Sequence, residues 1–213
     1  MTNYHSIFPL ELVVYPGERV NLHIFEPRYI HLIKTAVESK KPFVMGVMLN
    51  NQLQEIATCV QLLDVRKEYE DGKMDVTIEG INPVRILEFI KSTDALLPHN
   101  AIVFHPENEV KRLDSEVFNK VYELMLTLHS ELNLNKKFDK EVAEMLSYDF
   151  AHHIGLPLEE EYRLLTFLKE VQRLELMRLH LLNILSIVKN LAGLKEKVKL
   201  NGHFKNLKGF DFD

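Results

Sequence analysis

A chain of 213 residues can form one sizeable core or two small ones, and 46% apolar with 27% charged residues is globular rather than disordered composition. A formal charge of −5 argues against a dedicated nucleic-acid binder, which needs a concentrated basic surface to neutralise phosphates. The single cysteine, Cys59, excludes an internal disulfide framework and any multi-cysteine zinc site, suits a cytoplasmic setting, and reads within IATCV as a small buried hydrophobe.

The chain starts MTNYHSIF, with neither the positive leader nor the apolar run of a secretory signal. Residues 8–14 are nearly continuous apolar strand material, Pro16-Gly17 is a turn signal, and Val20, Asn21, Leu22, His23 and Ile24 alternate as a half-buried strand does. The period then changes. Pro27 suits a first helical position because it has no amide proton to leave unpaired, and Ile30, Ile33 and Val37 recur at helical spacing. Glu26 thereby becomes the cap, its carboxylate at the positive end of the helix, with Phe25 and Ile30 as the two halves of a hydrophobic staple. Further strands are expected over residues 43–49, 60–69, 73–78, 84–90 and 101–105. Asp71-Gly72 supplies a tight two-residue hairpin turn, and Gly80 and Pro83 predict a bend or bulge before Val84. Residues 91–100, with Pro98, read as a loop.

Three helical segments follow. The first covers residues 114–132, with Val117, Val121, Leu124, Leu128 and Leu132 as its stripe. Asp139 begins the second, where Val142, Leu146, Phe150 and Ile154 stand four apart before a stop at Gly155. The third opens on Glu159, Glu160 and Glu161, breaks near Lys169 and ends by Gly193. Its apolar face is Leu174, Met177, Leu181, Ile184, Leu185 and Val188, and the charges of Lys169, Glu170, Arg173, Glu175 and Arg178 rule out a membrane span there. Residues 194–213 carry five lysines against three acids. They also hold Val198, Leu200, Phe204, Leu207, Phe210 and Phe212, too many apolar side chains for a purely solvating tail, so docking on this domain or on a partner is expected. Strands segregated from helices specify an α+β fold: a β-barrel subdomain with one inserted helix over 1–110, an α-helical bundle over 111–193, and a basic, apolar tail over 194–213.

Strand, Pro-Gly turn, strand and a helix opening on Glu26-Pro27-Arg28-Tyr29, in that order, resemble the amino-terminal, substrate-binding domain of the Lon protease family, which is also found in cereblon and in small stand-alone proteins. The resemblance is carried by Phe8-Pro9-Leu10, Pro16-Gly17 and Phe25-Glu26-Pro27-Arg28-Tyr29. It continues through Asp71-Gly72, the stretch from Gly80 to Arg85, Leu164-Leu165 and Arg173-Leu174, and so covers residues 7–190. It implies a PUA-like barrel followed by helices, and a non-enzymatic module in protein quality control that binds unfolded or partly folded protein segments, alone or with a separate protease or chaperone. The ATPase and serine-lysine peptidase modules of full-length Lon have no counterpart in these residues.

Local signatures of chemistry are missing. Gly72-Lys73 is followed by Met74 and lacks the upstream glycine of a phosphate-binding loop, and there is no G-x-S-x-G elbow, H-E-x-x-H pair or EF-hand loop. Of the ten histidines, adjacent His152 and His153 diverge by about 100° on a helix, and Asp149 with His153 offers two of the three or four ligands that zinc needs. No catalytic residue, metal or cofactor is therefore expected. Arg28 and Arg85 are read as structural, because a guanidinium can tie several carbonyls or a carboxylate together, and Tyr29 as a core residue with a tethered hydroxyl. Pro16, Gly17, Phe25, Glu26 and Pro27 are read as structural too. Tyr15 beside the turn, and Leu96 and Leu97 in the loop, are the peptide-binding candidates. The competing reading is a PUA-like small-ligand or RNA-binding module, supported by the basic tail alone.

Overall fold

Alternating apolar residues in the first half close into a ring. In the computed structural model, which describes residues 2–111, 115–138 and 140–203, the order is β1 (Thr2–Leu10), β2 (Arg19–Ile24), α1 (Pro27–Ser39), β3 (Phe43–Leu49), β4 (Gln52–Glu68), β5 (Met74–Ile90) and β6 (His99–Phe104). Strands neighbour one another as β2-β5-β4-β3-β1-β6, and β6 returns to β5. The ring is thus β5-β4-β3-β1-β6, with β2 attached outside it; β1 and β3 are parallel and the other pairs antiparallel.

β5 serves two partners because it bends. Its first half pairs with β2 and its second with β6, and the register against β4 slips by one residue at Ile81, between the pairs Val60↔Gly80 and Cys59↔Asn82. Gly80 is required there: a Cβ on it would stand 2.1 Å from the Tyr15 carbonyl oxygen. The Pro16-Gly17 turn is stitched onto this bulge, Gly17 N–H donating to Gly80 O at 2.8 Å and Gly80 N–H to Glu18 O at 2.9 Å. Gly17 takes φ +81, the left-handed region that the third position of a type II turn needs.

Several local expectations change. β1 ends at Leu10, and Val13, Val14 and Tyr15 are fully buried outside any strand, so their apolarity reports burial rather than pairing. On α1 the inward side chains are Tyr29, Leu32, Ile33 and Ala36, whereas Val37 is exposed. Glu26 does cap the helix by position, but its side chain makes no cap bond; it pairs with Arg28 at 3.6 Å. Phe25 is exposed, with its ring beside His23, so nothing shows the staple. The β4–β5 connection is a three-residue loop rather than a two-residue one: Tyr69 N–H donates to Lys73 O and Gly72 N–H to Tyr69 O, and Gly72 alone has positive φ.

The second half contains α2 (Ser115–Glu131), two short 3₁₀ turns (Val142–Glu144 and Ser147–His153), α3 (Leu158–Thr166) and α4 (Glu170–His203). The α-helix expected from Asp139 does not form. Leu146 is extended between the two turns, and its amide donates to the Asp149 carboxylate at 2.8 Å, which ends one turn and starts the next. α4 passes through Gly193 to His203, ten residues beyond its expected end. The tail residues Phe204, Leu207, Phe210 and Phe212, like Asp114 and Asp139, lie outside the described residues.

Barrel and helices share a core. The largest buried cluster joins Val13, Tyr15, Val47 and Ile56 of the barrel half to Phe118, Met125, Phe150, Leu165 and Met177 of the helical half. A second cluster packs α1 against the sheet through Tyr29 and Ile33, and a third, including Ile7, Cys59 and Val103, fills the ring. Each such side chain contributes about 1.5–3 kcal/mol on burial, so the shared cluster is a strong reason for the halves to stay together.

Candidate functional site

The joint between the halves is built around the Pro16-Gly17 turn. It pushes Tyr15 into the helical half, where the ring stacks on Tyr148 and lies tilted against His152, and the hydroxyl donates to Glu161 O at 3.0 Å. His152 bridges the halves: Nε2 meets the Glu18 carboxylate at 3.1 Å and Nδ1 that of Glu161 at 2.7 Å. Burial opposes charge on this imidazole, but the bonds to Glu161 and Glu18 outweigh it and raise its pKa to about 10. His152 is therefore a cation at neutral pH, and Tyr15, buried beside the same two carboxylates, keeps its proton.

A second network anchors α4. Arg173 is completely buried and donates to the Glu170 carboxylate at 2.8 Å, to Ser147 Oγ, Asn108 Oδ1, Tyr148 Oη and Phe167 O, and to Glu109 O. Its guanidinium also lies over the Tyr148 ring. One planar side chain thus ties α4, the second 3₁₀ turn and the strap leaving β6.

The more apolar groove open to a partner lies elsewhere. α3 leads into α4 through residues 167–169, and beside that junction runs an open groove of about 820 Å³ whose lining includes Phe167, Val171, Leu176 and Leu179 together with Glu160, Arg163 and Glu175. Val171 and Leu179 are 47% and 56% exposed. On the barrel, β2 pairs with β5 on one side and, among the described residues, with no strand on the other.

The structure separates the residues singled out from sequence. Tyr15 has no exposed surface and belongs to the joint, whereas Leu96 and Leu97 are exposed on the β5–β6 loop. Arg28 Nη1 lies 3.3 Å from His99 Nε2, and Arg85 forms an exposed pair with Glu55. The ring of Tyr29 is held by stacking on Phe8 with centroids 3.9 Å apart, and its hydroxyl has no hydrogen-bond partner among the described residues. Asp149 turns to Lys140 and the Leu146 amide instead of sharing a ligand with His153. Sequence reasoning missed the groove, the Arg173 network and the His152 clasp. The one available signal was Val171, Leu179 and Leu182, apolar residues in excess of the single inward face that α4 needs.

Among the described residues no helix is long and apolar enough to cross a membrane. The family model of the ATP-dependent protease La (LON) substrate-binding domain matches residues 6–183. A Lon N-terminal domain protein from Xanthomonas campestris has a similar structure, at 21% identity and a TM-score of 0.62 over 81% of this chain and 95% of that one. The N-terminal domain of a Mycobacterium avium complex Lon protease is similar at 13% identity and a TM-score of 0.59, over 84% of this chain and 98% of its own. At these identities the likeness is one of fold. No curated protein matches the sequence.

Proposed function

This chain belongs to the Lon substrate-binding domain family, and from that premise we propose that it holds unfolded or partly folded protein segments without performing chemistry on them. The observation that carries the reading is the α3–α4 groove, where Val171 and Leu179 face solvent above Leu176. Exposed apolar side chains gathered in a concave site gain by covering one another with a partner's apolar surface, and unfolded segments present such surface. Leu96 and Leu97 form a second, smaller apolar contact on the barrel. A held segment is released to a separate protease or chaperone, in the cytoplasm, and neither metal nor cofactor is needed.

The test is titration of the full chain with a permanently unfolded, fluorescently labelled protein. Saturable binding with a Kd on the order of tens of micromolar or tighter is expected, and Leu179→Asp weakens it. Absence of binding by a chain whose thermal transition is intact would overturn the proposal.

A further inference from the structure

We propose that a second cleft, beside the joint, takes the terminal carboxylate of a polypeptide chain whose last residue is apolar. The inference rests on the reading that this protein holds protein segments, and names the end by which one is taken.

Position and charge come first. The cleft, about 590 Å³, opens between the Pro16-Gly17 turn of the barrel half and the segment that links α2 to the two 3₁₀ turns of the helical half. That is the size of a small-ligand site, enough for the end of a chain and too little for a folded partner. Its lining holds five cationic side chains, of which three are committed: Arg19 to Glu79 at 3.5 Å, Lys140 to Asp149, and His152 to Glu18 at 3.1 Å. Lys136 and Lys137 pair with no carboxylate among the described residues. Glu161, outside the lining, also shares His152, so among the described residues the site carries an excess of one positive charge. This suits a ligand with a single negative charge. A phosphate group carries close to two at pH 7, and a nucleic-acid backbone many more; laid in the cleft, either would also meet Glu18, Glu79 and Asp149.

The rest of the lining agrees. Phe138 and Met145 belong to it, and His153 stands edge-on to Phe138 with ring centroids 5.3 Å apart. Burial, and then the neighbouring Lys136, hold the His153 pKa below the ordinary histidine value, so the ring is a neutral imidazole at pH 7 with one N–H. That ring has no hydrogen-bond partner among the described residues, which leaves its N–H for an acceptor. Two ammonium groups and an imidazole N–H bind a carboxylate by charge-assisted hydrogen bonds, while the aromatic ring covers an apolar side chain next to it. A chain end presents both groups on one residue.

Fluorescence anisotropy on the full chain tests this with four peptides of about six residues, labelled at the amino end and ending in leucine, a length that spans about 20 Å when extended. One ends in a free carboxylate and one in a carboxamide; the third is the amide with an internal aspartate, and the fourth the amide with an internal phosphoserine. The expected result is saturable binding of the free acid, at least about tenfold tighter than the other three. Lys136→Gln combined with Lys137→Gln weakens it about tenfold with the thermal transition in place, and Leu179→Asp, in the other groove, leaves it unchanged. Equal binding of acid and amide overturns the inference, and so does binding that ignores the lysine variant. Tighter binding of the phosphopeptide gives the cleft to phosphate, and equal binding of the aspartate peptide gives it to any acidic segment; either result overturns the inference. Retention of the unfolded protein without preference for the free acid defeats this inference and leaves the proposed function standing. Loss of all binding defeats both.

Discussion

Within four residues of α4 two opposite uses of a side chain meet: Glu170 and Arg173 are 2% and 0% exposed, while Val171 between them is 47% exposed. The same inversion holds on a larger scale. At the joint, charged His152, Glu18 and Glu161 face one another across the two halves, whereas Leu179 is turned outward beside the groove. Charges paired in a partly dry interior are directional and fix one geometry; apolar surface is non-directional and tolerates many partners. The contrast fits a rigid frame that carries an adaptable surface.

The largest effect expected from breaking the frame is at Arg173. Arg173→Met leaves the Glu170 carboxylate buried without its cation and is expected to cost about 3–5 kcal/mol in urea unfolding. Arg173→Lys does not restore stability, because one ammonium cannot span acceptors on three separate segments. A loss no larger than that of an ordinary surface change would mean that the network follows the fold instead of holding it.

His152→Gln comes next, at about 2–3 kcal/mol, since the imidazole is only partly buried. Its pH dependence has a definite sign. The folded pKa, about 10, lies above the ordinary histidine value, so the clasp's contribution is complete below about pH 6.5 and is lost as pH rises through 10. Calorimetry from pH 6 to 10 should show the wild-type advantage over His152→Gln shrinking as pH increases. A constant difference across that range would remove the charged clasp from the account.

Leu179→Asp sharpens the comparison from the other side. It is expected to leave stability within about 0.5 kcal/mol, as exposed positions do, while binding of an unfolded protein falls about tenfold. The smallest effect is expected from Leu96→Ser combined with Leu97→Ser: no change in thermal transition and about a two- to threefold loss of binding, a size typical of peripheral contacts.

Features set by local chemistry were legible in the sequence. Pro27 does begin α1, β3 has the expected bounds, and the Gly80 region does bulge. Periodicity, however, reports which side chains turn away from water and not which backbone form carries them. Val142, Leu146, Phe150 and Ile154 kept helical spacing through a segment that is two 3₁₀ turns. Long-range charge pairing leaves no local trace at all: Glu18 and His152 are 134 positions apart, and Arg173, which in the sequence counts only against a membrane span and toward the family resemblance, has six acceptors around it. The groove was hidden for the opposite reason, since apolar residues on a helix are ordinarily assigned to its core.

The seam that closes the ring joins the first strand to the last, from Thr2↔Phe104 to Ile7↔His99. During synthesis that seam cannot form until residue 104 has left the ribosome, and at 5–20 residues per second β1 waits roughly 5–20 s with one edge unpaired. For that interval the growing chain displays an open strand edge and the uncovered side chains of Ile7, Val44 and Cys59. Before it is finished, this protein is itself a specimen of the partner proposed for it.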